Sequence, residues 1–377
     1  QVRDDLRARG ITQVRISREH SPGLLDQVKA FRRFFSGKPS PRQPSLGLDP
    51  RRLAENSKRS CSVEALEFQV VQGALVKGGL GEEPTAPPLL ECLVLTDPSQ
   101  ERNEEAKAVC VLGEQDLRRV AIQLFDEARK NRQVDGKDVG KLAERIIRMM
   151  LQDKELLLSS LVKTEEDLPA GMGDLAYLPT HAIRVGILAV NIATMMGYSD
   201  RQVYELGYGA LLADLGMTRV PRAILKKTGE LTAIEISELK RHPIHSINML
   251  QNFRMIPYSS PLIAYQSHER GDKSGYPKSR PGKLLHRFAK IVSVADIYCA
   301  TTAPRAHRPA RLPYRAIEEL LRISLEAKVP RECMEALLRC INLYPIGSWV
   351  RLSSGAVGRV AAANESRYDR PCVRVHF

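Results

Sequence analysis

The apolar positions divide the chain into regions of different period. From Glu114 onward the period is helical. Val120, Leu124 and Ala128 share one face, Leu142, Ile146, Met149 and Met150 share another, and Leu157, Leu158 and Leu161 follow. Recurrence at three and four residues marks helices with one buried face. This pattern runs past residue 340. Upstream the pattern is mixed. Val14-Arg15-Ile16 alternates as a strand does, and Ser21-Pro22 opens a predicted helix through Phe35 with Leu24, Leu25, Val28, Phe31 and Phe35 on one side. Residues 36–50 and Gly78 to Pro88 are rich in loop formers, and Leu66 to Val76 predicts a strand or hairpin arm. At the other end, Val350-Arg351-Leu352, Gly355 to Val360 and Val373-Arg374-Val375 are short alternating runs split by Gly, Ser and Asn. They predict a small β appendage of three or four strands.

These patterns predict a mainly α protein. Residues 1–95 form an α+β module of unknown role, 96–113 a linker that includes the polar run 97–106, 114–345 a helical domain and 346–377 a small β tail. At 377 residues, with 43% hydrophobic and 27% charged, the chain is long enough for large cores and too apolar for wholesale disorder.

Charge changes the picture only locally. The net charge is +13, and residues 1–60 hold 14 Lys and Arg against 6 Asp and Glu. A solvated basic face is the simpler reading, and a nucleic-acid partner is not expected. No apolar run reaches the roughly 20 residues of a membrane span; the best, Gly186 to Gly197, is broken by Asn191 and Thr194. Seven scattered Cys with no CxxC pair fit reduced thiols and a cytoplasmic location. A chain opening at Gln1 is expected to be a piece of a longer one.

The candidate chemistry lies in the helical region, where six of the eight His fall between residues 181 and 307. His181, Asp214, His242, His268 and Asp296 each sit at the edge of an apolar run. Polar groups there are costly unless paired, which points to one shared internal site. Mixed imidazole and carboxylate donors suit Fe, Mn or Zn better than Ca. Taken singly, each His reads more simply as a structural residue.

Their order adds a further signal. The chain carries His181-x-x-Arg184-Val185, then Leu211-Leu212-Ala213-Asp214-Leu215-Gly216, then Val220-Pro221 and Ile224 to Thr232. His242-Pro243, His268-Glu269-Arg270, Ser274-Gly275-Tyr276-Pro277 and Val294-Ala295-Asp296 follow. This string, over roughly residues 175–325, resembles the HD-GYP family of cyclic di-GMP phosphodiesterases. The helices from 114 resemble the family's lead-in, and Tyr344 to Gly347 with the last strands its β tail. The resemblance implies a helical bundle holding two or three metal ions, usually iron or manganese, that assist attack of water on a phosphorus. It implies that His181, Asp214 and Asp296 serve one ion, and Asp214, His242 and His268 the other. Asp214 would then be the residue on which any catalysis depends. Arg270, Gly275, Tyr276 and Pro277 would line the nucleotide pocket.

Three positions depart from the family pattern. Ala213 stands for the His of the His-Asp doublet, Met217 for a phosphate-contacting Lys, and Ser267 for the first His of a His-His pair. Each ion loses one imidazole. His245, three residues after His242, and His286 are the nearest candidates to substitute, though a structural role is simpler for both. The resemblance with these losses implies an impaired phosphohydrolase: one or two weakly held Fe or Mn ions, or none. Cyclic di-GMP is the expected ligand, and protein partners would dock on the N-terminal module or the Gly-Tyr-Pro surface. A working enzyme with a reduced site and a pure interaction protein are the rival expectations. Other features read blandly. Glu269 and Arg270 form a local ion pair or order the loop. Arg270, Lys273, Lys278, Arg280, Lys283 and Arg287 face a dinucleotide or solvent. Trp349 and Cys299 are packing residues.

Overall fold

The computed structural model describes residues 104–152, 154–159, 161, 177–304, 310–352, 356–364 and 370–375. In the amino-terminal part it describes the strands 15–17, 60–65, 67–71, 74–75 and 90–95. The helix expected over Ser21 to Phe35, the loops at 36–50 and 78–88, and the basic residues outside those strands lie outside the described residues. The chain divides into two compact units, one of Gln1–Gln100 with Ile341–Phe377 and one of Glu101–Cys340.

The second unit is a helical bundle, as the periodicity predicts. Helix α1 (Glu104–Arg129) buries Leu117, Ala121, Leu124, Phe125 and Ala128. Residues 104–113, expected as linker, are therefore helix. The polar run 97–106 suggests a boundary, but the helix starts inside it, at Glu104. Helix α2 (Gly136–Gln152) buries Val139, Leu142, Ala143, Ile146, Met149 and Met150, a stripe at helical spacing. A short helix, α3 (Lys154–Ser159), follows.

Helix α4 (Tyr177–Met195) is buried on nearly every side and is the centre of the bundle. It is apolar and long enough to compare with a membrane span, but 78% of its apolar window is buried inside the domain, as in the core helix of a bundle. Helix α5 (Asp200–Leu212) packs on it. Small residues allow close approach on two sides: a Cβ at Gly207 would lie 2.9 Å from Val190 Cγ2 of α4, and one at Gly209 would lie 2.3 Å from Ile263 Cδ1 of the helix over Ser259–Gln266. After the short helices α6 (Arg222–Leu225) and α7 (Ala233–Leu239) come α8 (His242–Leu250), α9 (Ser259–Gln266) and α10 (Arg287–Thr302). The series ends with α11 (Pro313–Leu325) and α12 (Arg331–Ile341). Helix α10 packs against α4 and α11 and buries Ile291, Val292, Val294, Ala295 and Cys299; Cys299 is a core residue, as expected.

The first unit holds a closed barrel. Its strands are β2 (Ser60–Ala65), β5 (Leu90–Leu95), β8 (Trp349–Leu352), β9 (Val357–Ala362) and β10 (Cys372–Val375), ordered β10-β5-β2-β8-β9. The three C-terminal strands stand where the alternation predicts them. They form the small C-terminal sheet expected, and two amino-terminal strands close it into the barrel. Val63 pairs with Leu352, and Val373 runs parallel to Val94. Three short strands alone would leave long unpaired edges, and closure with the amino-terminal pair removes them. Beside the barrel, β1 (Arg15–Ser17) pairs with β3 (Glu67–Val71), which turns back into β4 (Ala74–Leu75).

Candidate metal centre

Five elements of the bundle bring the candidate residues together. His181 lies in the first turns of α4. Helix α5 ends in Leu211 and Leu212, both buried, and the turn after it carries Ala213 and Asp214 before a 3-10 turn, Leu215–Arg219. The Ser246 hydroxyl accepts from the Gly216 amide at 2.8 Å and donates to the Ala213 carbonyl at 3.0 Å. This ties α8, with His242 at its start, to the Asp214 turn. Only glycine fits at 216, because a Cβ there would sit 2.0 Å from the His242 carbonyl and 2.4 Å from the Ser246 nitrogen. His268 follows the end of α9, and Asp296 projects from the middle of α10.

The distances define two clusters sharing one carboxylate. In the first, His181 Nε2 lies 3.0 Å from Asp296 Oδ1 and 3.5 Å from Asp214 Oδ2. In the second, Asp214 Oδ1 lies 3.1 Å from His268 Nε2 and 3.5 Å from His242 Nε2. The two imidazole nitrogens are 2.8 Å apart. In each cluster the potential donor atoms lie within 4.8 Å of one another. All five predicted ligand positions thus converge, although His181 and Asp296 are 115 residues apart.

Electrostatics follow from this packing. Burial pushes the Asp214 carboxyl up, but hydrogen bonds from His181, His242 and His268 outweigh it and hold it well below 3.8. Burial also pushes Asp296 up, and His181 brings it below its ordinary value. Burial pushes His242 down, yet Asp214 raises it above 6.5.

The residues fit a transition-metal ion. His242 Nδ1 is 2.8 Å from the Leu239 carbonyl and must donate to it. In the neutral ring that leaves the Nε2 lone pair aimed at His268 and Asp214, as in metal-ligating histidines whose other ring nitrogen donates to a carbonyl. Two imidazole nitrogens and a carboxylate oxygen meeting this closely need a proton or a cation between them. Three protein donors per cluster leave coordination positions open, as catalytic sites do.

The lost positions are at the same place. Ala213 and the buried Ser267 line one space with His181, Asp214 and Asp296, and that space is too narrow for a water-sized sphere. Ser267 Oγ has no hydrogen-bond partner among the described residues. Met217 lies in the 3-10 turn. Neither substitute imidazole joins the clusters. His286 caps α10, its Nδ1 accepting from the Phe288 amide. The Nε2 of His245 is buried without a partner among the described residues.

The loop after His268 borders the centre. The Tyr276 ring stacks on His268, with centroids 5.0 Å apart and planes 4° apart, and meets His242 edge-on. Lys240 Nζ lies 5.6 Å from the Tyr276 centroid. Gly275 passes so close to the chain that a Cβ would lie 2.4 Å from the Arg270 nitrogen. Glu269 is buried, and its two oxygens accept from the Lys278 amide at 2.8 Å and the Arg280 amide at 2.9 Å. It orders the loop, the second of the two roles open to it. Arg270 instead donates to the Ser267 and Glu269 carbonyls and to Ser293 Oγ. Burial lowers its pKa. Of the other cations in this stretch, Lys273, Lys278 and Arg280 are exposed, and Arg287 lies over the Tyr198 and Phe288 rings. Gly216 stands in the run Leu211 to Gly216 with no role assigned to it by sequence, and Ser246 and Lys240 carry no motif that reveals them. The sole hint is that Ser246 lies one helical turn after His242.

Comparison with known proteins agrees with this geometry. Residues 145–329 match the family model described as HD domain. The chain is 28% identical over 258 residues to the cyclic di-GMP phosphodiesterase PA4108 of Pseudomonas aeruginosa, covering 68% of this chain and 59% of that one. It is 35% identical over 159 residues to the cyclic di-GMP phosphodiesterase response regulator RpfG of Xanthomonas campestris, 41% of each. This segment is an HD domain, similar to those of the HD-GYP phosphodiesterases. The chain is also 30% identical over 170 residues to the 3'3'-cGAMP-specific phosphodiesterase 3 of Vibrio cholerae, 45% of this chain and 36% of that one. Overall the chain spans about half the length of the curated relatives it matches. Among solved structures, Bd1817, an HDG"Y"P protein from Bdellovibrio bacteriovorus, superposes with a TM-score of 0.51 over 64% of this chain and 73% of that one. At 17% identity this likeness concerns the fold.

Proposed function

We propose that this chain is a cytoplasmic HD-GYP signalling protein whose hydrolysis of cyclic di-GMP is weak or absent, and which acts by binding the nucleotide or through protein contacts. The observation that carries this reading is the pair Ala213 and Ser267. Both line the space enclosed by His181, Asp214 and Asp296, and neither brings an imidazole to it. Fewer donors lower metal affinity and transition-state charge stabilisation together. Met217 adds no positive charge for a phosphate.

His181, Asp214 and Asp296, and Asp214, His242 and His268, are the residues that would hold iron or manganese. When bound, such an ion supplies Lewis-acid stabilisation of a phosphoryl oxygen. The chain itself supplies orientation. Asp214 aligns three imidazoles, and the Leu239 carbonyl sets the His242 tautomer. Tyr276, Gly275 and Pro277 shape one wall of the pocket, and Arg270 braces that wall from behind.

A second reading is an active phosphodiesterase with a reduced site, favoured by the convergence of all five remaining donors. Turnover separates the two. Protein prepared without oxygen and supplied with Fe²⁺ or Mn²⁺ is incubated with cyclic di-GMP, and in parallel with 3'3'-cGAMP, because relatives carry both names. The first reading expects no product from either, with activity gained when Ala213, Met217 and Ser267 become His, Lys and His. Efficient turnover that disappears in Asp214→Ala would establish the second. If neither metal nor nucleotide binds, the chain is a pure interaction module.

A further inference from the structure

A cavity of about 450 Å³ is lined by Glu269 and by Gly271 and Gly282 of the loop that follows it. None of the five ligand candidates lines it. Its walls are the loop, helix α10 and the turn joining α11 to α12. We infer that it is a binding site for a small phosphorylated molecule, separate from the metal centre and coupled to the Gly-Tyr-Pro loop.

Three observations support this. First, Lys283, Lys290, Lys328 and Arg331 line the cavity. The acid among its lining residues is Glu269, and both Glu269 oxygens are taken by backbone amides. Lys328 is 2.7 Å from Glu326, and the lining stays in positive excess with that pair closed. Second, the Ser324 hydroxyl is fully buried in the wall and has no hydrogen-bond partner among the described residues. A buried hydroxyl in that state is costly until something bonds to it. Third, α12 starts at this wall with Arg331, after Val329 and Pro330. A helix start adds partial positive charge and free amides, a common setting for phosphate. The volume suits a small ligand, and charge-assisted bonds from Lys and Arg suit phosphate oxygens.

The coupling is structural. Glu269 forms one wall and fixes the Lys278 and Arg280 amides of the loop. Ser293, in the same lining, receives the Arg270 hydrogen bond at 2.7 Å. A ligand bearing on these residues stiffens the loop that stacks Tyr276 on His268.

The test uses the full chain freed of metal with EDTA and titrated with inorganic pyrophosphate by calorimetry. Saturable binding is expected, weakened at least tenfold in Lys283→Gln/Lys290→Gln. The charge-matched control Lys137→Gln/Lys141→Gln, on α2, should leave it unchanged. Ser324→Ala should weaken binding with no loss of thermal stability. Amide exchange at Lys278 and Arg280 should slow when pyrophosphate is added. A parallel titration with GMP distinguishes the sources: tighter binding of GMP assigns a nucleotide, tighter binding of pyrophosphate an inorganic polyphosphate. The inference fails if neither probe binds at millimolar concentration. It also fails if both double variants lose affinity equally, or if Ser324→Ala and loop exchange are indifferent to the probe.

Discussion

The two halves of the metal centre share Asp214 but are built on different supports. His181 and Asp296 project from long, buried helices that pack against each other. His242 and His268 come from the start of a nine-residue helix and the turn after an eight-residue one. The first half has two carboxylates and attracts a cation mainly by charge. The second has two imidazoles and one carboxylate. It depends on preorganisation: the Leu239 carbonyl, the Ser246 bridge and the Tyr276 stack. Loss of a ligand therefore acts differently on each. The helix pair keeps its geometry whatever it binds, while the imidazole half is only as good as the contacts that aim it.

The strongest test of this contrast is Asp214→Ala, which removes the shared carboxylate and should empty both halves. Metal content by plasma mass spectrometry is expected to fall with at least ~100-fold loss of affinity, since loss of outer-shell partners alone costs 10–100-fold. Retention of one ion per chain would show that the halves are independent. Next, Gly216→Ala forces α8 away from the Asp214 turn and should cost about 3 kcal/mol in urea unfolding, the upper end of overpacking. Its damage should fall on the imidazole half, leaving the His181–Asp296 pair in place by NMR. Glu269→Gln replaces a carboxylate that holds two amides and should cost about 2 kcal/mol, with faster exchange at Lys278 and Arg280. Ser246→Ala removes a two-bond bridge and should cost about 1 kcal/mol. The same variant should weaken metal binding in the imidazole half alone.

The smallest effect is the pH dependence of the metal-free protein. Asp214 is held below 3.8 in the fold, so its contribution is complete above that value and lost as pH falls through the lower folded value. His242 is raised above 6.5, so its contribution is complete below 6.5 and lost as pH rises through the folded value. The urea midpoint should thus decline on both sides of a plateau. Added Mn²⁺ should lift the alkaline side, where a cation replaces the proton between the imidazoles. A profile unchanged by Mn²⁺ would argue against an ion in that half.

Much of the bundle was legible because helical period is a local property. The buried stripe of α2 lies where Leu142, Ile146, Met149 and Met150 predict it. The α1 stripe is shifted, with Leu117 and Phe125 buried and Val120 only partly so. The start of α1 was hidden, since Glu104 and Glu105 stand inside the polar run 97–106. In the barrel, β8 to β10 alternate visibly. Their pairing with Ser60–Ala65 and Leu90–Leu95 joins residues about 280 positions apart, and no local pattern encodes such a pairing.

The sequence by itself determined which side chains are available to the site. Three His and two Asp stand in a recognisable order, and Ala213, Met217 and Ser267 stand where donors or a cation are lost. Their identities are facts of composition and do not depend on folding. Only the tertiary structure decided that the five donors meet, that Ala213 and Ser267 line their space, and that Glu269 orders the loop. These depend on close packing of helices distant in sequence, made possible by contacts such as Gly216 against the His242 carbonyl. Distances of a few ångströms between residues 30 to 115 positions apart are set by how the whole core closes.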